Sequence, residues 1–178
     1  TSIKAKDGTE YLWQGDPKFW ASRSPVLFPI VGALPGGSFA HGGKTYALGN
    51  HGFARKTEFA GLSEGRDELR YELRAGDQTL AQYPFRFVLS VAYRVRGRTV
   101  TVEWRVRNED KEKMTFSIGA HPGFRAPLAE GEKREEYDLI FQKKETVRRH
   151  LLNADNVRTG ESEPFLRGED RVAVTPEL

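Results

Sequence analysis

The chain has 178 residues, of which 38% are hydrophobic and 30% charged, with 28 lysines and arginines against 25 aspartates and glutamates and no cysteine. That length suits one domain with a sizeable core, and the composition fits a soluble globular protein rather than a disordered or membrane one. The absence of cysteine rules out a disulfide frame, a thiolate metal site and a thiol nucleophile, while a formal charge of only +3 gives little basis for a nucleic-acid partner.

In chain order, Lys4-Ala5-Lys6-Asp7-Gly8-Thr9 reads as a hairpin turn whose first strand is absent, followed by a strand over Glu10–Trp13. The longest apolar stretch, around Pro25 to Leu34, is interrupted by Pro29 and Gly32, too short and too broken to span a bilayer. No secretory h-region stands near the first residues, so the expected location is cytoplasmic. Ser38–His41 and Lys44–Leu48 flank Gly42-Gly43, a dipeptide suited to the primed hairpin turns. Strands are expected at Thr57–Leu62 and Glu68–Arg74, then one helical turn over Asp77–Tyr83 with Asp77 as N-cap and Pro84 as its stop.

Phe85–Asn108 carries the clearest pattern. A two-residue turn at Gly97-Arg98 pairs Val95 with Val100, Tyr93 with Val102, Val91 with Trp104 and Leu89 with Val106, so one face is apolar throughout. The other face, with Arg94, Arg96, Thr99, Thr101, Glu103 and Arg105, is expected to meet solvent. Arginines around Gly97 without interleaved stacking aromatics read as a solvated sheet face rather than a nucleic-acid grip. Further strands are expected at Met114–Gly119 and Tyr137–Phe141. The stretch from Asn153 to Leu178 reads as loop with one short strand at Arg171–Val174. Short strands separated by turns imply an all-β sandwich or barrel, here one domain over 1–178 with no internal boundary. Both ends read as stopping inside a longer pattern, with unpaired sheet edges and an open apolar face expected to result.

Two turns carry the candidate chemistry: His51-Gly52-Phe53-Ala54-Arg55, and Gly119-Ala120-His121-Pro122-Gly123-Phe124-Arg125. Each places a histidine where a strand gives way to a turn, with an arginine four residues on. Imidazole is the side chain whose ordinary pKa lies nearest neutrality, so proton transfer is the chemistry to test. Arginine's planar fork suits hydroxyl pairs and phosphate oxygens. His41 and His150 read as surface residues. No metal-spaced His/Asp/Glu motif is present, and no metal or cofactor is expected.

The succession Pro25-Val26-Leu27-Phe28-Pro29-Ile30-Val31-Gly32, Gly43-Lys44-Thr45-Tyr46-Ala47-Leu48, His51-Gly52-Phe53-Ala54-Arg55 and Gly119-Ala120-His121-Pro122-Gly123-Phe124 resembles the aldose 1-epimerase (galactose mutarotase) superfamily, in its LacX-like branch. Trp13-Gln14-Gly15-Asp16 and Thr159-Gly160-Glu161-Ser162-Glu163-Pro164-Phe165-Leu166 extend the likeness along nearly the whole chain. The resemblance implies a β-supersandwich, incomplete in these 178 residues, that binds a monosaccharide, an aldohexose or hexose 6-phosphate, as monomer or homodimer and without cofactor. It implies His121 as general acid, His51 as second active-site histidine and Arg55 as a sugar- or phosphate-binding arginine; Arg125 and Phe124, on the His121 corner, are further candidate substrate-binding residues.

Departures from the pattern are visible. Ala33 stands where many relatives carry arginine, and the family's glutamate base and a sugar-binding aspartate are expected beyond Leu178. Glu130, Glu132, Glu135 and Glu136 lie in a charged loop and match nothing catalytic. Three readings follow: an epimerase acting on free or phosphorylated hexoses, a carbohydrate-binding relative without turnover, and a basic nucleic-acid module through Arg94, Arg96 and Arg98.

Overall fold

The computed structural model describes residues 2–176, with backbone alone for Glu64. The chain is all-β and divides into two compact units, Val26–Gly119 and Thr1–Pro25 together with Ala120–Leu178.

In the Val26–Gly119 unit, β1 (Val26–Leu27) leads into a hairpin of β2 (Ser38–His41) and β3 (Lys44–Ala47). Gly42 and Gly43 both take positive φ, 56° and 73°, as the expected primed turn requires. Four antiparallel strands follow in spatial order: β4 (Ala60–Glu64), β5 (Glu68–Arg74), β6 (Phe87–Arg96) and β7 (Thr99–Asn108). Leu89 faces Val106, Val91 faces Trp104, Tyr93 faces Val102 and Val95 faces Val100, the register read from the alternation. Only Gly97 in that turn has positive φ, 59°, which matches a II′ turn.

The core of this unit is aromatic. Phe28, Phe87 and Leu89 are fully buried, with Leu48, Phe53, Leu73, Tyr83 and Phe85 nearly so. Phe28 meets the rings of Phe53, Tyr83 and Phe87 edge-on, at centroid distances of 6.2, 6.2 and 5.0 Å, a geometry that adds about 0.5–1.5 kcal/mol per pair beyond burial. Burial also pushes the Tyr83 phenol up, and its hydroxyl donates to the Thr115 carbonyl at 2.8 Å.

The opposite face of the sheet is less wet than its sequence implies. Val88 and Ala92 are only 3% and 8% exposed, because Val88 lies between Arg74 and Arg107, and Ala92 beside Arg70, in the strand register. Long arginine stems cover apolar surface while their heads stay in water. Arg94 joins three strands, donating from Nε to Glu68 at 2.6 Å and from Nη1 to Glu103 at 2.8 Å. Hydrogen bonds from Arg70 and Arg94 lower the Glu68 carboxyl, and Arg94 lowers that of Glu103.

Three local expectations shift. The helical turn is α1 (Asp77–Leu80) with Gly76 at the N-cap position, because the Thr79 hydroxyl accepts from the Gly76 amide at 2.9 Å and leaves Asp77 inside the first turn. β4 starts at Ala60 since a 3-10 turn over Ala54–Lys56 occupies the chain just before it. Residues 114–118 form no ladder; Ser117 instead donates its amide to Pro29 O at 2.9 Å and accepts from the Val31 amide on its hydroxyl at 2.9 Å.

The short strand β8 (Gly119–Ala120) carries the chain into the other unit, whose main element is an antiparallel ribbon of β9 (Asp138–Leu152) and β10 (Arg158–Ala173). A 16-residue strand replaces the expected loop. Gly160 and Gly168, within the stretch expected as loop, stand at shifts of register with φ of 92° and 93°, so they act as bulges within a continuing strand. Both faces of the ribbon are largely exposed, Leu139, Ile140 and Phe141 included, and without a buried side no alternation marks it in the sequence.

At the N-terminus the turn at Lys4–Thr9 closes onto its own first limb. Ala5 N donates to Thr9 O at 3.0 Å and Tyr11 N to Ile3 O at 2.9 Å. The Glu10 carboxylate pins this limb, accepting from the Ser2 hydroxyl and, at 2.9 Å each, from the Ile3 and Leu12 amides. These bonds, the Ser2 hydroxyl first, bring Glu10 from 4.5 down to about 2. A depressed folded-state pKa contributes stability that is fully present above 4.5 and lost as pH falls through about 2. Protection of the Ile3 and Leu12 amides relative to their intrinsic exchange rates should therefore fall across that window, and Glu10→Gln should leave that protection low at every pH; an unchanged acid profile of protection in the variant would refute the clamp.

Candidate active site

His51 occupies a tight corner. β3 ends at Ala47, the Gly52 amide returns to Gly49 O at 2.9 Å, and His51, third residue of that turn, has φ of 63°. Glycine ordinarily takes this place, and histidine tolerates it better than most side chains. Gly52 follows at φ 66°, and a Cβ there would lie 2.3 Å from Phe28 O. The close approach lets Phe28 O accept both the Phe53 and Ala54 amides, each at 3.1 Å.

The corner also clamps the imidazole. The His51 amide donates to Gly32 O at 2.8 Å, and the Gly32 amide donates to His51 Nδ1 at 3.0 Å. A backbone N–H can only donate, so Nδ1 is an acceptor and the neutral ring carries its proton on Nε2. His51 is thus a defined hydrogen-bond donor on a rigid turn. Arg55 lies one step on, in the Ala54–Lys56 turn, and is exposed.

His121 is differently placed from its sequence reading. No turn follows it at once; residues 121–125 run extended between two neighbouring segments. His121 N donates to Pro25 O at 3.2 Å and Gly123 N to Arg23 O at 2.9 Å, while Trp13 N donates to Gly123 O at 2.8 Å and Arg125 N to Tyr11 O at 2.9 Å. Proline holds its predecessor extended, and Pro122 falls where no donor is needed. The exposed His121 ring lies 5.0 Å from that of Trp20, centroid to centroid. Phe124 is 68% exposed, and Arg125 is exposed as well.

The structure therefore brings His51 and Arg55 onto one corner, and His121, Phe124 and Arg125 onto one extended segment. Among the described residues neither Arg55 nor Arg125 makes an ion pair, unlike Arg94, Arg74 and Arg149. The sequence reading missed Gly32 as the partner of His51 and Trp20 as the neighbour of His121. Gly32 closes the apolar Pro-Ile-Val-Gly run, and Trp20 ends the turn begun at Asp16, signals that speak only of loops until the contacts are seen.

Other candidates fall to structural roles. Glu132 accepts from the Tyr137 hydroxyl and the Ala129 amide, and Glu136 from the Lys133 amide. His41 is half-buried against Phe85, 4.6 Å between centroids, and 3.5 Å from Glu112, so it is not the plain surface residue expected. A groove of about 370 Å³ on the outer face of β5–β7 is lined by Arg70, Arg94, Arg105 and Arg107 and holds none of the candidate residues. Among the described residues no cluster of three His, Asp or Glu side chains could hold a metal ion.

Comparison with known proteins adds the decisive observation: residues 1–167 match the aldose 1-epimerase family. The chain belongs to the aldose 1-epimerase family. It is 40% identical over 152 residues to the plasmid and chromosomal LacX proteins of Lactococcus lactis subsp. lactis, covering 82% of this chain and 51% of each relative. Among solved structures it resembles a galactose mutarotase related enzyme from Lactobacillus acidophilus, with TM-score 0.92 and 31% identity over 99% of this chain and 59% of that one. A galactose mutarotase-like protein from Lactobacillus casei ATCC 334 gives TM-score 0.89 and 30% identity, over 99% and 61% of the respective chains. The chain thus spans about half the length of the curated relatives it matches, and its β-sandwich class agrees with these mutarotase-like folds.

Two measurements check the His51 corner. In nitrogen-15 NMR at neutral pH, His51 should show the pattern of a ring protonated on Nε2 with Nδ1 accepting; the opposite tautomer would remove the clamp. Gly52→Ala should destabilise the chain in urea by more than the ~0.5–3 kcal/mol usual for single substitutions, since its Cβ would meet the Phe28 carbonyl at 2.3 Å.

Proposed function

We propose that this chain acts as an aldose 1-epimerase, interconverting the α and β anomers of an aldohexose. The observation that carries the reading is the family match over residues 1–167 joined to a histidine whose Nδ1 is engaged by backbone and whose proton is thereby set on Nε2.

Mutarotation needs two proton transfers and the reversible opening of one C–O bond. A base takes the proton of the anomeric hydroxyl while an acid protonates the ring oxygen, the C1–O5 bond breaks, and an open-chain aldehyde forms. Rotation about C1–C2 presents the other carbonyl face, and closure returns both protons. His121 is the acid in this reading. His51, a neutral Nε2–H donor, orients the sugar and stabilises charge at the ring oxygen. Phe124 offers an apolar face to the pyranose, and Arg55 and Arg125 hold its oxygens. No glutamate among residues 1–178 is assigned the base; the resemblance implies one in a longer polypeptide.

One observation favours a variant of this reading. Among the described residues Arg55 and Arg125 have no carboxylate partner, and an uncommitted guanidinium suits a phosphate dianion. A hexose 6-phosphate is then the substrate, held by one of these arginines.

Polarimetry with fresh α-glucose, α-galactose and glucose 6-phosphate tests both forms. A polypeptide that joins this chain to the expected glutamate base should hasten decay of optical rotation, and His121→Ala in it should lower kcat by roughly 10²–10⁴-fold. The double variant with His51→Ala should lose less than the product of the two single losses if both act on one sugar. Calorimetric sugar binding without acceleration would replace the epimerase reading by a carbohydrate-binding one, and neither binding nor acceleration would reject both.

A further inference from the structure

The aromatic surface beside His121 does not end at Trp20. The Trp20 and His121 rings lie 5.0 Å apart, centroid to centroid, the Trp20 carbonyl accepts the indole N–H of Trp13 at 2.7 Å, and Trp13 meets Phe19 edge-on at 6.3 Å. Beyond them stands the Lys18 ammonium, 5.3 Å from the Phe19 centroid. Trp13 and Trp20 are half-buried, whereas Phe19 is 72% exposed. Resting on the reading of His121 as the acid of a sugar site, we propose that this row is a second sugar subsite. Phe19 stacks on the non-reducing pyranose of a disaccharide whose reducing residue is opened at His121.

A loop free to move would fold a phenylalanine against the nearest apolar surface. This loop is not free. The Asp16 carbonyl accepts the Phe19 amide at 3.1 Å and the Trp20 amide at 2.9 Å, and the Asp16 carboxylate accepts the Lys18 amide at 2.9 Å. Pro17 fixes φ inside that turn. The loop is closed again at Gly15, where a Cβ would come 2.9 Å from Ala21 O, and by Arg23 Nε, which donates to Gln14 O at 3.0 Å. Phe19 is thus held in solvent by its own main chain, so a ligand that stacks on it has no loop to order.

The row is continuous with the segment of the candidate acid. A Cβ at Gly123 would stand 2.8 Å from Trp13 Cβ and 3.0 Å from Trp20 Cζ3, so glycine lets residues 121–125 lie against both tryptophans. From there the rings lead outward to Phe19.

The chemistry of the row selects the occupant. Only the reducing residue of a disaccharide carries a free anomeric hydroxyl, so the second residue, joined through its own C1, must lie outside the reacting centre. A pyranose presents C–H groups on its faces and hydroxyls around its rim. The faces suit a flat apolar ring and the rim suits a polar group beside it. Lys18, which has no carboxylate partner among the described residues, supplies that donor. A phosphate would use the ammonium and not the rings, and a purely apolar occupant the rings and not the ammonium.

Calorimetry on the polypeptide used for polarimetry, with glucose, maltose and cellobiose, reads the subsite without turnover. The better of the two disaccharides should bind roughly 3- to 10-fold more tightly than glucose. Phe19→Ala, a change at an exposed side chain, should remove that margin and leave glucose affinity within about twofold, while Phe19→Trp should keep it. In polarimetry Phe19→Ala should raise KM for the disaccharide alone, with kcat unchanged.

Equal affinity for glucose and both disaccharides, or an equal loss for glucose and disaccharide in Phe19→Ala, would overturn the subsite and leave the epimerase reading standing. Binding of none of the three sugars would overturn both. A Phe19 ring shielded from a soluble paramagnetic probe in the sugar-free polypeptide would also overturn the subsite, because protein rather than sugar then covers it. Undiminished activity in His121→Ala would instead reject the assignment of the acid, and the disaccharide margin would still decide whether Phe19 holds a sugar.

Discussion

One carbonyl ties the core of the Val26–Gly119 unit to its chemistry. Phe28 places its ring at the centre of an aromatic cluster and turns its main-chain oxygen toward Gly52, where the amides of Phe53 and Ala54 converge on it. Only a residue without Cβ permits that approach. The turn bearing His51 is therefore not a surface excursion laid over a finished core. It is welded to one of the fully buried side chains of the unit, which explains how a histidine can be kept at positive φ. Its second anchor, Gly32, supplies a donor and an acceptor to one residue and so fixes ring orientation and tautomer together.

The same economy runs through the Thr1–Pro25 and Ala120–Leu178 unit. Residues 121–125 bond alternately to 23–25 and to 11–13, and the glycine in their middle opens the way to two tryptophans. In both units a histidine is held by backbone next to a glycine that lets another element come close. The physical role of the glycine differs, however. Gly52 makes room for a carbonyl, whereas Gly123 makes room for rings.

What could be read in the sequence followed from where burial is one-sided. β6 and β7 alternate because one face meets the aromatic core, so even their pairing register was legible, and Gly42-Gly43 announced its turn by the φ values it alone accepts easily. β10 was illegible for the opposite reason: with both faces exposed, its glycines and proline look like a loop. The two histidines stood out by their turns, but the clamp on His51 depends on Gly32, 19 residues away, and the ring contact of His121 on Trp20, distant by a hundred positions. Local pattern carries no information about such meetings. Nor does composition distinguish Arg94, locked between two carboxylates across strands, from Arg55 and Arg125, which have none among the described residues.

The ribbon of β9 and β10 shows how irregular geometry limits what long strands can do. Its pairing holds step for no more than three consecutive residue pairs before slipping, and Pro164 lacks the amide that a neighbouring strand would seek. A foreign strand laid along this border would lose alignment within a few residues of each slip. Among the described residues β9 and β10, of 15 and 16 residues, pair only with each other, and their slips in register bend the ribbon and break the even spacing of donors and acceptors along its edges.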